Sequence, residues 1–248
     1  MQQKIKILRQ ELGEELTKIL NYWMHFTPDA INGGFYGSVS HDNTVDITAP
    51  KSIVLHARIL WTFSAAYRFF QDEKYLIKAQ RAYNYIKKHF IDAEFGGVYW
   101  SVYAKGNVQE DRKQIYGLAF CIYGMSEYYA ACKDEKALQG AIDLYKCIEA
   151  YSFDTRDKGY VEAFTKEWQP LDDLRLSAKD ANEKKSMNTH LHIIEAYANL
   201  YKSWPDEILK HKIEQLLFLF DKYFINHSTG HLRLFFDMQW NEKLSVIS

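Results

Sequence analysis

Apolar residues recur along the chain in two types of helical pattern. Three segments are apolar on most sides, which predicts largely buried helices: 51–70, 113–131 and 185–201. Four other segments carry one apolar face and one polar face, which predicts amphipathic helices: 3–25, 73–90, 134–151 and 206–224. From the second helix onward the two types alternate, so the pattern predicts about seven long helices arranged as repeated pairs.

Glycine-containing segments with aromatic or apolar neighbours separate the helix pairs and predict short strands or hairpins. They are INGGFYGSV (31–39), FGGVYWSV (95–102), KGYVEAF (158–164) and TGHLRLFF (229–236). Gly33, Gly96 and Gly159 are spaced 63 residues apart. Lys51 and Lys113, which begin two of the apolar helices, are 62 residues apart, and Lys185 follows after 72 because of a polar loop at 165–183. One buried helix, one amphipathic helix and one short strand therefore repeat about three and a half times.

Repeated helix pairs bury their apolar faces by packing against their neighbours. The pairs can form either an open solenoid or a ring with the apolar helices inside. Because buried and amphipathic helices alternate, the pattern favours the ring. The predicted fold class is therefore all-α, of the (α/α)-barrel type, with short strands, in a single domain spanning 1–248.

The repeat alignment also predicts a site. When Lys51, Lys113 and Lys185 are superposed, two sets of residues coincide on the apolar helices: Val54, Tyr116 and Asn188, then Arg58, Phe120 and His192. In a ring, the polar members would point into one cavity: Arg58, Tyr116, Asn188 and His192. Residues four apart share a helix face, so Asn188 and His192 form a polar pair.

Each of these residues also has a structural interpretation. Arg58 is expected to be buried, either in an ion pair with a loop acid or as a ligand of sugar oxygens or of a developing oxyanion. Tyr116 could simply bond to the backbone. A lone helix histidine is usually part of a core, but the partner Asn188 favours a site for His192. His190 points to another face and is expected to be structural.

Three further residues have both a structural and a functional interpretation. Trp61 could stack on a sugar, but its position in the middle of a helix favours the core. Glu162 and Asp237 lie at loop ends, where a carboxylate can either cap a helix or contact a ligand.

Composition narrows the possible functions. Apolar residues make up 47% of the chain and charged residues 25%, and the net charge of −1 contains no basic or acidic block. These values are ordinary for a globular protein and give no electrostatic reason to expect a nucleic acid or an anionic membrane as partner. No apolar run is long enough to span a bilayer, and no signal peptide is evident. The high aromatic content suits a pocket that binds sugars.

The cysteines and the missing motifs bear on compartment and cofactors. Cys121, Cys132 and Cys147 are odd in number and lack metal-ligand spacing, which indicates reduced, buried thiols and a cytoplasmic protein. The chain has no HExxH or CxxC metal motif, no nucleophile elbow and no phosphate-binding loop, so the motifs predict none of these chemistries.

Four segments closely resemble the cellobiose 2-epimerases of the N-acylglucosamine 2-epimerase superfamily. They are ARILWTFSAAYR (57–68), GGVYWSV (96–102), KQIYGLAFCIYGMSEYY (113–129) and KSMNTHLHIIEAYANLY (185–201). The resemblance is collinear along essentially the whole chain. It implies an (α/α)6 barrel that works without a metal or redox cofactor.

The resemblance also implies a reaction: epimerisation at C2 of the reducing-end glucose of β-1,4-linked disaccharides such as cellobiose and lactose. One histidine removes the C2 proton, a cis-enediolate forms, and a second histidine returns a proton to the opposite face. By this resemblance Arg58 and His192 are catalytic, Arg58 near the enediolate and His192 in ring opening. Tyr116 and Asn188 bind the substrate.

The chain departs from the family pattern at its end. After a segment like LRLFFDMQW, the family continues into a motif of the type YGHDIE that carries one of the two proton-transfer histidines, and the other lies further on. The expectation is therefore an incomplete barrel with about seven of twelve helices, exposed apolar flanks and no activity alone. Its partner would be another chain or a C-terminal half. The alternatives are an aldose–ketose isomerase and a non-catalytic carbohydrate-binding half-barrel.

Overall fold

A computed structural model describes residues 2–243, and seven α-helices make up about half of this range. They are α1 (Gln2–Phe26), α2 (Ile53–Phe70), α3 (Glu73–His89), α4 (Ile115–Cys132), α5 (Glu135–Cys147), α6 (Met187–Tyr201) and α7 (Glu207–Leu219). All seven predicted helices are confirmed, with starts within two residues. The helices α5 and α7 end earlier than predicted because their last turns widen into π-helical turns at Ile148–Ser152 and Phe220–Phe224.

The strands in the same range are only two or three residues long, so the predicted low strand content is confirmed. They are β1 (Ser38–Val39), β2 (Val45–Asp46), β3 (Lys51–Ser52), β4 (Ser101–Val102), β5 (Val108–Glu110), β6 (Lys113–Gln114), β7 (Ala163–Phe164), β8 (Lys185–Ser186), β9 (Phe235–Phe236) and β10 (Glu242–Lys243). Each apolar helix directly follows a strand. That strand pairs antiparallel with one from the next repeat, in the pairs β3–β4, β6–β7 and β8–β9.

The apolar helices α2, α4 and α6 form an inner row, in which α4 lies between the other two. The amphipathic helices α3, α5 and α7 each pack against the inner helix that precedes them. The approach of α2 to α4 is close: a Cβ added at Gly124 would lie 2.7 Å from the carbonyl oxygen of Ala57. The fold is thus of the predicted (α/α)-barrel type.

A buried lysine–aspartate pair ties the start of each inner helix to a preceding loop. The Nζ–Oδ2 distances are 2.7 Å for Lys51 and Asp29, 2.5 Å for Lys113 and Asp92, and 2.8 Å for Lys185 and Asp154. The three lysines are the residues on which the repeat alignment rests. Their identical role in each repeat confirms that alignment.

The glycine alignment is wrong by one residue in the third repeat. The amide of Asp154 donates to the carbonyl of Gly159, as the amide of Asp92 does to that of Gly97. Gly159 therefore corresponds to Gly97. Lys158 takes the place of Gly96, with a left-handed φ of 64°. The sequence pattern concealed this shift because a left-handed position is usually filled by glycine.

Apolar side chains are exposed on the first and last helices. On α1, Leu8 and Leu12 are 54% and 61% exposed, and on α7, Ile208 and Phe218 are 66% and 60% exposed. The predicted apolar flanks are thus present among the described residues.

Two observations concern the cysteines and membranes. Cys121 is buried, but Cys132 and Cys147 are only half-buried, so the prediction of buried thiols is confirmed for Cys121 alone. Among the helices of residues 2–243, none combines the length and apolarity needed to cross a bilayer.

Candidate active site

A cavity of about 240 Å³ lies between the first halves of the inner helices α2, α4 and α6. Its walls consist of Arg58, Trp61, Thr62, Phe120, Tyr123, His192 and Glu195. Three of these, Arg58, Phe120 and His192, are the residues that the repeat alignment superposes. The structure therefore places two of the four predicted site residues, Arg58 and His192, on one cavity wall.

Arg58 is exposed, so the expectation that it is buried is wrong. The carbon at the centre of its guanidinium group lies 5.4 Å from the centroid of the Phe120 ring. Within the part of the chain that the structure describes, it forms no ion pair. The reason is geometric: the side of α2 that carries Arg58 faces the cavity rather than a neighbouring helix. Its hydrogen-bond donors are available to a ligand there.

His192 is held by contacts on three sides. Its ring centroid lies 4.8 Å from that of Tyr116, edge to face, and 4.4 Å from that of Phe120. Its Nδ1 lies 2.7 Å from Oε2 of Glu195. Burial lowers the pKa of His192, the hydrogen bond and charge of Glu195 oppose that shift, and the positive charge of Arg58 adds to it. We infer a neutral imidazole whose Nδ1–H donates to Glu195, which leaves Nε2 as an acceptor.

Tyr116 lies next to His192 and is half-buried. Burial raises the pKa of its hydroxyl, while the positive charge of Arg58 and the side chain of Asn188 oppose the shift. The hydroxyl therefore stays protonated at neutral pH and can donate a hydrogen bond.

Asn188 is exposed and lines a second cavity, also of about 240 Å³. This cavity lies at the start of α6, one helical turn before His192. Its other polar lining side chains include Glu162, Arg175 and Asp180. Three of the predicted site residues thus line two neighbouring cavities rather than one, and Tyr116 lies behind them, in contact with His192.

The other polar residues considered from sequence have local partners. Nδ1 of His190 lies 2.7 Å from the carbonyl oxygen of Ser186, and its Nε2 accepts from the amide of Tyr160 at 3.0 Å. This buried histidine is structural, as predicted. Asp237 accepts two hydrogen bonds from Asn241 within its own loop. Each of these side chains is explained by the fold.

Four lining residues were not assigned to the site from sequence: Trp61, Tyr123, Glu195 and Thr62. The first three of these follow the three superposed residues by three positions and Thr62 follows Arg58 by four, which is about one helical turn. Extending the repeat alignment by that turn would have identified them. The assignment of Trp61 to the core is corrected, since it is half-buried on the cavity wall and stacks on Tyr123 with ring centroids 5.2 Å apart.

Comparison with known proteins gives consistent matches. The model of the N-acylglucosamine 2-epimerase (GlcNAc 2-epimerase) family matches residues 34–246. A cellobiose 2-epimerase from Bacteroides fragilis is 48% identical over 98% of this chain and 62% of its own length. The structure of cellobiose 2-epimerase from Spirochaeta thermophila has a TM-score of 0.90 and 36% identity, covering 97% of this chain and 59% of its own. That of the Bacillus thermoamylovorans enzyme has a TM-score of 0.90 and 38% identity, covering 98% and 62%. The chain spans about three fifths of the length of the curated relatives that it matches.

Proposed function

Because this chain belongs to the N-acylglucosamine 2-epimerase family, we propose that it supplies part of the active site of a cellobiose 2-epimerase. The reaction inverts C2 of the reducing-end glucose of β-1,4-linked disaccharides through a cis-enediolate. The observation that carries the proposal is the placement of Arg58 beside the His192–Glu195 pair in one cavity, in a chain that is 48% identical to a cellobiose 2-epimerase.

The roles follow from the chemistry of each group. An enediolate carries negative charge on oxygen, and donors fixed in a partly dry cavity stabilise such charge strongly. Arg58 supplies these donors. His192, with Nδ1–H directed at Glu195, offers Nε2 to a sugar hydroxyl, where it can accept the proton that moves when the ring opens. The hydroxyl of Tyr116 and the carboxamide of Asn188 hold sugar oxygens.

The two cavities suit a disaccharide. Each measures about 240 Å³, which is less than the roughly 300–1,000 Å³ of a typical ligand pocket. Because Asn188 and His192 lie one turn apart on one face of α6, the cavities are close enough for two linked rings. We place the reducing-end ring beside His192 and the second ring beside Asn188.

Proton transfer at C2 from opposite faces requires two acid/base groups. Among the described residues, His192 is the sole histidine on the cavity wall, and its assigned role is ring opening. We therefore propose that the proton-transfer pair comes from elsewhere, either a C-terminal half of the same barrel or another chain. Residues 1–248 would then form the N-terminal portion of one cytoplasmic barrel domain and be inactive alone.

The test is incubation of lactose with the complete natural protein that contains this sequence, and in parallel with the 248-residue chain. The expected product is epilactose from the complete protein only, seen by NMR. In D2O, passage through an enediolate exchanges the hydrogen at C2 for deuterium. Epilactose formed by the 248-residue chain would contradict its inactivity.

The same experiment separates the two alternatives. Accumulation of a ketose instead of the C2 epimer would indicate an aldose–ketose isomerase. Disaccharide binding without turnover by the complete natural protein, lost in its Asn188→Ala variant, would indicate a non-catalytic carbohydrate-binding module.

A further inference from the structure

Glu162 connects two inner helices at the end where the site lies. Its carbonyl oxygen accepts the amide N–H of Ile115, the first residue of α4, at 3.0 Å. Its carboxylate accepts the amide of Ser186 at 2.8 Å and the hydroxyl of Thr189 at 2.6 Å, both at the start of α6. One residue therefore joins the starts of α4 and α6.

The attached positions are next to the sugar-binding side chains. Tyr116 directly follows the residue that Glu162 holds on α4. Asn188 lies between the two residues that Glu162 holds on α6. Because the residue fixes both helix starts, it also fixes the distance between Tyr116 and Asn188.

Equivalent positions in the other repeats lack this carboxylate. Trp100 and Leu234 occupy the place of Glu162, and their carbonyl oxygens accept from Ile53 at 3.2 Å and from Met187 at 2.8 Å. The backbone link is thus a general feature of the repeat, whereas the carboxylate link is specific to α4 and α6. The fold alone does not require a carboxylate at this position.

The environment of Glu162 is typical of a residue at a functional site. The side chain is buried and lines the cavity that also contains Asn188. Burial raises the pKa of Glu162 to about 7, although hydrogen bonds from Thr189 and Ser186 oppose the shift. A buried carboxyl group is costly to ionise, and residues with such shifted pKa values cluster at functional sites.

We propose that Glu162 is a positioning residue for the sugar site. It holds the start of α6 against the start of α4, so that Asn188 and Tyr116 can bind the disaccharide at the same time. This inference rests on the proposed function, since it assumes that those two side chains bind sugar. Loss of the carboxylate should therefore weaken substrate binding more than it slows the chemical step.

The test compares Glu162 with a matched residue at the other end of the same helices. Glu127 on α4 is also a buried glutamate that reaches α6, where its Oε2 accepts from the side-chain Nδ2 of Asn199 at 3.2 Å. The variants Glu162→Ala and Glu127→Ala should lose comparable stability. Only Glu162→Ala should raise KM for lactose about tenfold or more in the complete natural protein, with a smaller change in kcat.

A second pair of variants decides the matter if Glu162→Ala does not fold. Thr189→Val removes only the hydroxyl that donates to Glu162, while Thr189→Ser retains a hydroxyl. We expect a rise in KM of at least about threefold for Thr189→Val and less than twofold for Thr189→Ser.

The outcomes separate the inference from the proposed function. If the wild-type protein neither binds nor converts the disaccharide, the proposed function fails. If it does, but Glu162→Ala changes KM no more than Glu127→Ala, or Thr189→Val no more than Thr189→Ser where the first pair does not fold, the positioning role is refuted.

Discussion

The inner helices α2, α4 and α6 contain two layers of equivalent positions, the lysine positions and the cavity positions, and only the first has the same residue in every repeat. At the lysine positions, Lys51, Lys113 and Lys185, the residue is the same in every repeat and forms the same buried pair with an aspartate. At the cavity positions, seven residues further along, the residues are Arg58, Phe120 and His192. All three line one cavity, yet each differs from the others.

The difference separates scaffold from site. Equivalent positions have the same residue where each repeat makes the same contacts with its neighbour. Where the helices surround a cavity they face a ligand that has no repeat symmetry, so the side chains can diverge. Internal comparison of repeats thus distinguishes the two roles without any second sequence. Variants should accordingly change stability at the lysine positions and catalysis at the cavity positions.

The largest effect is expected at a lysine position. Lys113→Met leaves Asp92 buried without its partner, which should cost about 3–5 kcal/mol of unfolding free energy. The measurement is urea unfolding of the complete natural protein. The exposed Lys146 provides a matched control, because Lys146→Met should change the unfolding free energy by less than about 0.5 kcal/mol. Equal stability of the two variants would remove the structural role assigned to the lysine positions.

The next effect is catalytic and belongs to a cavity position. Arg58→Ala should lower kcat about 10²–10³-fold, because a donor to the enediolate is lost. It should leave the thermal midpoint almost unchanged, since Arg58 is exposed and forms no ion pair within residues 2–243. Initial rates of epilactose formation measure the first quantity and calorimetry the second.

Arg68, ten residues later on the same helix, should behave in the opposite way. Its guanidinium pairs with the buried Glu127, away from the cavity. Arg68→Ala should therefore lower the thermal midpoint and leave kcat unchanged. A fall in kcat for Arg68→Ala as large as that for Arg58→Ala would contradict the assignment of catalysis to the cavity positions.

A third prediction concerns pH and two scaffold histidines. His56 and His190 occupy equivalent positions, and each accepts a backbone amide, from Phe35 at 3.2 Å and from Tyr160 at 3.0 Å. Burial lowers the pKa of each to about 3. Between pH 6.5 and 3 the unfolded chain therefore binds more protons than the folded one. Stability falls as pH falls through this range, by about 2 kcal/mol per histidine at pH 5.

The measurement is urea unfolding at pH 7.5 and pH 5 for the wild type and for His190→Gln. The variant should lose about 2 kcal/mol less than the wild type on acidification, because one such histidine is gone. Glu162 acts in the opposite direction, since its pKa of about 7 favours the folded state as pH falls. That contribution is present in both proteins and cancels in the comparison. An identical pH dependence would show that His190 is not held neutral.

Much of the fold could be predicted from sequence because the signals are local and repeated. Apolar periodicity predicted the seven helices, and the recurrence of lysine predicted which residues of the inner helices are equivalent. The register of the third glycine segment was missed because Lys158 adopts a conformation usual for glycine. The burial of Arg58 was misjudged because an apolar helix does not reveal which of its sides borders a cavity.

The candidate site could be predicted only in part. The alignment placed Arg58 and His192 together, and one further turn would have added Glu195. The bonds of Glu162 to α6 join residues 24 or more positions apart. Such bonds depend on how the repeats stack, and no local pattern encodes them.

The smallest effect is expected one turn beyond the cavity positions. Glu195→Gln removes the charged carboxylate that accepts a hydrogen bond from Nδ1–H of His192. A hydrogen bond to a charged group contributes about 1.5–3 kcal/mol. If that bond is needed in the transition state, its loss lowers the rate at least about tenfold. We expect kcat to fall about tenfold, which corresponds to the lower end of that energy range, because glutamine still accepts a hydrogen bond. Glu195 is 43% exposed, so the thermal midpoint should not change.

The pH profile makes this last prediction specific. Glu195 raises the pKa of His192 against the effect of burial, so its removal should lower that pKa. Activity requires the neutral imidazole, and the acid limb of the kcat profile should therefore move to lower pH in Glu195→Gln. Glu214 is a matched control, because it pairs with His211 at the same helical spacing on the exposed face of α7. If Glu214→Gln and Glu195→Gln have the same rates and profiles, Glu195 does not orient the imidazole, and the cavity layer is restricted to the positions of Arg58, Phe120 and His192.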